Sequence, residues 1–138
     1  MLGFALPSSL GSAGAGDGPV IVICGDGGVL FAIGEVAAFA PANMPVTIVI
    51  VADGGYGMPR LGREGDGRHG TDLAARDLAA SAPGLGVGGV TVSGFGPEYQ
   101  DAIEAAIMRR TLSVVHVQAR LHLPRTTSPR WRLARSAG

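Results

Sequence analysis

At 138 residues with 46% hydrophobic content, the chain is about one domain long and can bury one packed core. The formal net charge is zero, but all eleven acidic residues lie at or before Glu104 and seven of the eleven arginines follow it, so an acidic body carries a basic tail. No apolar run reaches the roughly 18 to 20 residues of a membrane span, and the start lacks the basic-then-apolar order of a signal peptide. A lone Cys24 excludes an internal disulfide and a thiolate zinc cluster, so the expectation is a soluble, cytoplasmic protein.

In chain order, residues 6–15 suit an opening helix with Pro7 in its first turn, weakened by Gly11 and Gly14. Residues 19–24, 45–51, 89–93 and 112–118 are β-branched and almost continuously apolar, as strands covered on both faces should be. Between the first two, Val29, Leu30, Ile33, Val36, Ala37 and Ala40 recur at three- and four-residue intervals, which predicts a helix over 28–40 ended by Pro41. Further helices are expected over 72–82 and 97–109. The glycine-rich stretch 54–70 and the tail 120–138 read as irregular. Alternation of short apolar runs with helical stretches gives the fold class: α/β, four parallel strands with flanking helices.

Two carboxylates stand out, because Asp26 and Asp53 each follow an apolar run, Asp26 between glycines and Asp53 just before Gly54 and Gly55. In a right-handed strand–helix–strand unit, neighbouring parallel strands lie about 4.8 Å apart with their carboxyl ends on one edge. The two aspartates then face each other where open α/β sheets bind ligands. Amides at the start of the intervening helix attract anions and the carboxylates repel them, a conflict that Mg²⁺ resolves by taking carboxylate and phosphate oxygens together. Gly25, Gly27 and Gly28 would let the backbone approach a diphosphate, while Gly54 and Gly55 would let a main-chain carbonyl turn inward. A dinucleotide fingerprint fails, since Leu30 stands where its third glycine belongs, and a P-loop fails because the chain has no lysine. Alternatively, both aspartates are simply turn formers after strands.

These residues resemble the cofactor motif of thiamine diphosphate-dependent enzymes, which opens with Gly-Asp-Gly and closes just under thirty residues later with Asn-Asn or Asn-Asp before a glycine and an aromatic. Here the motif runs from Gly25-Asp26-Gly27 to Ala52-Asp53-Gly54-Gly55-Tyr56. "LGFALPSSLG", "GYGMPR" and "GTDLAARDLAA" are similar to the acetolactate synthase and 2-oxoacid decarboxylase branch, so the likeness spans about residues 2–119. Two departures are Ala52, where the family usually has Asn, and Arg76, where the branch often has proline at a helix start.

The resemblance implies that Asp26, Asp53 and the Gly55 carbonyl bind Mg²⁺, that Gly25, Gly27 and Gly28 lie near the diphosphate, that Tyr56 packs or lines the pocket, and that Leu2 props the bent cofactor. No catalytic residue is assigned. Residues 1–119 would form a diphosphate-binding domain lacking its first strand, followed by an irregular tail, 120–138. The likeness also implies a 2-oxoacid substrate, a pyrimidine-binding domain or subunit supplying an activating glutamate, and a homo-oligomer in the full-length protein. A truncated gene product or a start placed at an internal methionine is favoured over one subunit of a two-chain enzyme; an inactive remnant or interaction module is the alternative. Neither nucleic acid nor membrane is an expected partner. Glu35, His69, His116 and His122 are assigned no role, and Cys24 reads as a small core residue.

Overall fold

The computed structural model describes residues 2–16, 18–56, 70–74 and 76–121. The irregular character expected for 57–69 and 122–138, together with His69 and His122, lies outside these residues. Helix α1 (Ala5–Ala15) leads to β1 (Val20–Gly25), then α2 (Asp26–Leu30), α3 (Ile33–Phe39), β2 (Val46–Ala52), α4 (Leu78–Ser81), β3 (Gly88–Ser93), α5 (Pro97–Arg109) and β4 (Ser113–Gln118). The four strands form one parallel sheet in the order β1-β2-β4-β3. All four expected strands and the helix over 97–109 are present, within about one residue of their predicted ends.

Alternation along each strand builds two apolar layers. Val22, Ile48, Ile50 and Val114 face α1, α2, α3 and α4, with Leu6, Leu10, Val29 and Val36 completing that core. Val49, Val92, Val115 and Val117 face α5 through Ala106 and Ile103. Burial of β2 and β4 on both faces explains their unbroken apolarity. Edge strand β1 is covered on one face only, leaving Ile23 66% exposed.

Two helix expectations need correction. The helix predicted over 28–40 begins at Asp26 and breaks at Phe31–Ala32 into α2 and α3, ending in a 3₁₀ turn over Ala40–Ala42. Gly27, Gly28 and Gly34 weaken helix propensity, and burial of both Val29 and Val36 sets the course of the chain instead. Residues 72–74, 76 and 77 are not helical. Gly55 bridges Asp72 in antiparallel fashion, with the Tyr56 amide donating to the Thr71 carbonyl (2.8 Å) and the Leu73 amide to the Gly54 carbonyl (3.0 Å). The helix starts only at Leu78, where the Asp77 carboxylate accepts from the Ala80 amide (2.9 Å).

Candidate cofactor site at the carboxyl edge of the sheet

Strand register brings the expected residues to one edge. Gly25 pairs with Val51 and Ala52 with Gln118, so Asp26 emerges level with Ala52 and Gln118, and Asp53 one residue beyond. Asp26 is 8% exposed. One carboxylate oxygen accepts from the Gly27 amide (2.7 Å) and the other from the Gly54 amide (3.1 Å), so this side chain ties the exit of β1 to the exit of β2. Each oxygen has a second lone pair for a further partner.

Gly54 has φ +82°, the left-handed region where a glycine turns without strain. The turn sends the chain into its pairing with residues 71–73. Neither hydrogen bond of that pairing uses the amide or carbonyl of buried Gly55, which are therefore turned away from the partner segment. Asp53 is half-buried between these groups. Tyr56 lies over Gly27 so closely that a Cβ there would stand 2.6 Å from the ring, and Phe31 flanks the same ring with centroids 6.2 Å apart. Gly28, by contrast, has open space around it. Leu2, itself 59% exposed, shares a hollow of about 200 Å³ with Gly25 and Gly28, so the structure gathers Leu2 and the glycine turn at one place.

Mg²⁺ fits this donor chemistry. Among the described residues no group of three or more histidine, cysteine, aspartate or glutamate side chains could hold a metal, and the carboxylates of Asp26 and Asp53 stand at the exits of neighbouring strands. These are hard oxygen ligands, few in number, as Mg²⁺ prefers. Cys24, just before the turn, contributes no thiolate: burial pushes its thiol up to about 11, and its Sγ lies 3.6 Å from the Val49 carbonyl.

A second feature was not legible in the sequence. An open cleft of about 740 Å³ runs from Asp26 and Gly54 towards β4 and α4, and His116, Gln118, Arg76 and Arg120 line it. His116 looks like any residue of an apolar strand until the alternation of β4 is placed against α4, which sets its ring on the inner face with Val114. Arg76, expected only as a helix-start detail, also borders this cleft.

The family description "Thiamine pyrophosphate enzyme, C-terminal TPP binding domain" matches residues 1–117. The chain belongs to that family. Similarity within the thiamine pyrophosphate enzymes points to the acetolactate synthase and decarboxylase kind. The chain is 31% identical over 125 residues to the acetolactate synthase large subunit of Parasynechococcus marenigrum (strain WH8102), covering 86% of this chain and 20% of that protein. Among solved structures, the Rhodococcus jostii RHA1 thiamine diphosphate-dependent 4-hydroxybenzoylformate decarboxylase superposes with TM-score 0.73 at 25% identity, covering 88% of this chain and 24% of that one. Benzoylformate decarboxylase from Polynucleobacter necessarius shares the fold with TM-score 0.78 at 22% identity, covering 89% and 25%. The chain thus spans about a fifth to a quarter of the length of these relatives.

Proposed function

We infer that this chain holds thiamine diphosphate through Mg²⁺, as the diphosphate-binding part of a lyase or carboligase acting on a 2-oxoacid. The observation that carries this reading is the Asp26 carboxylate, buried and hydrogen-bonded by the Gly27 and Gly54 amides. Those two bonds fix one acidic group between the exits of β1 and β2, and Asp53 follows the end of β2 directly, which supports the reading.

In this reading Asp26, Asp53 and the Gly55 carbonyl ligate the ion, and the Gly25, Gly27 and Gly28 backbone lies against the diphosphate. Tyr56 walls the pocket above Gly27, and Leu2 supports the bent cofactor from the neighbouring hollow. When bound, thiamine diphosphate supplies a thiazolium nucleophile and electron sink for 2-oxoacid decarboxylation. The chain's own residues anchor and orient it. A pyrimidine-binding domain or subunit supplies the activating glutamate, and the working protein is a cytoplasmic homo-oligomer.

Calorimetric titration with thiamine diphosphate in Mg²⁺ tests the reading. Saturable binding is expected that needs the metal and falls by at least about ten-fold in Asp26→Ala, the cost of removing a charged ligand. Equal binding by the variant, or binding indifferent to Mg²⁺, would overturn it.

A further inference from the structure

The cleft on the α4 side of the metal corner has an unbalanced set of polar groups. Its two carboxylates are already engaged. Asp26 accepts from the Gly27 and Gly54 amides, and Asp77 accepts from the Ala80 amide (2.9 Å) and from the Thr91 hydroxyl, which lies 2.7 Å from both of its oxygens. The donors are not engaged. Arg76 and Arg120 are exposed and make no ion pair or side-chain hydrogen bond among the described residues, although Asp77 is the next residue after Arg76. His116 is 1% exposed, and its Nδ1 has no hydrogen-bond partner. An orphaned ring nitrogen at such depth is costly unless something enters the cleft to meet it.

Gln118 apart, the side chains of the remaining wall are apolar. Leu30, Leu73 and Leu78 line the cleft, and about 740 Å³ is far more space than a bare inorganic anion fills. A cleft of this size, apolar with a few convergent polar groups, is the usual form of a small-molecule site. We propose that it binds a small organic acid, its carboxylate held by Arg76, Arg120 and the His116 ring and its apolar body set against the leucines. The guanidinium fork matches a carboxylate in two parallel hydrogen bonds, which gives the charge recognition its geometry. This site shares an edge with the metal corner through Asp26 and Gly54, yet its recognition groups lie on β4, its exit and the α4 approach.

The test is calorimetric titration of the full chain with sodium 4-methylpentanoate, the neutral 4-methylpentanamide and inorganic phosphate. The acid is expected to bind at least about ten-fold more tightly than the amide or phosphate, the scale of one charge-assisted hydrogen-bond pair. Arg76→Gln and Arg120→Gln should each weaken the acid by about five-fold or more without changing the circular dichroism spectrum, since both side chains are at the surface. His116→Gln adds a buried probe of the same site. Equal affinity for the amide, phosphate binding as tight as the acid, or indifference to both arginine variants overturns the proposal. So does displacement of the acid by Mg²⁺ and thiamine diphosphate, because the cleft would then be the diphosphate pocket itself. Cofactor binding by Arg120→Gln is read in the same instrument and should match the parent, so each site can fail without the other.

Discussion

Gly27 is the position where one added methyl group tests the site most directly. A Cβ there would stand 2.6 and 2.7 Å from two carbons of the Tyr56 ring, too close for any real side chain, whereas a Cβ on Gly28 meets nothing within 4 Å. The Tyr56 main chain is in turn held by the hydrogen bond from its amide to the Thr71 carbonyl, and Phe31 flanks its ring, so the clash falls on a side chain with packed neighbours. Gly27→Ala is therefore expected to cost about 1–3 kcal/mol in urea denaturation, the range for overpacking, and to weaken cofactor binding. Gly28→Ala should leave stability within about 0.5 kcal/mol, as for surface substitutions away from packed features. Combining Gly27→Ala with Tyr56→Ala should cost less than the sum of the two single changes, because the clash is shared. Additive losses in that cycle would mean that the ring and the glycine do not constrain each other.

At the scale of elements, helix α4 shows where local sequence was a poor guide. A helix was expected from residue 72, but residues 71–73 spend their backbone on pairing with 54–56, a long-range contact that a local reading does not register. The start of α4 is set instead by Asp77. Its carboxyl is held below the usual carboxylate range, first by the Thr91 hydroxyl and then by the Ala80 amide, with His116 adding a smaller attraction. A depressed folded-state pKa means that the carboxylate stabilises the fold above its unfolded value, near 4, and that this contribution fades as pH falls through the folded value. Asp77→Ala should lose about 1 kcal/mol at pH 7, the usual worth of such a cap. The gap between variant and parent in urea denaturation should narrow towards pH 3; a gap that widened on acidification would contradict the assignment. Strands β2 and β4 were legible because burial on both faces demands unbroken apolar runs, the edge strands β1 and β3 through their β-branched residues although much of each is exposed, and Asp26 and Asp53 because each sits where an apolar run ends. The Arg76, His116 and Arg120 cleft was not legible, since Arg76 comes from the approach to α4 and His116 and Arg120 from β4 and its exit, two stretches that only the fold brings together.

For the molecule as a whole, the uncovered side of the sheet bears on what this chain can do by itself. Leu2, Phe4, Ile21, Ile23 and Phe31 all stay exposed, and Leu2 and Ile23 share the hollow beside the glycine turn. Exposed apolar side chains gathered near a site mark a surface that something else covers. Glu35, Glu98 and Glu104 are the glutamates among the described residues: Glu35 sits in the first turn of α3, and the other two lie on α5, which packs on the sheet face opposite α1. None of the three lines the cleft or the hollow at the carboxyl edge. In the proposed function the activating carboxyl group comes from a separate pyrimidine-binding domain. The chain alone should bind thiamine diphosphate and Mg²⁺ yet release carbon dioxide from pyruvate at a rate close to that of the free cofactor. Supplying a pyrimidine-binding domain in trans should raise turnover, since proton transfer from a positioned group contributes roughly 10²- to 10⁴-fold. Rapid pyruvate turnover by the purified chain would show instead that a group within these 138 residues performs the activation, and the division of labour between two domains would have to be abandoned.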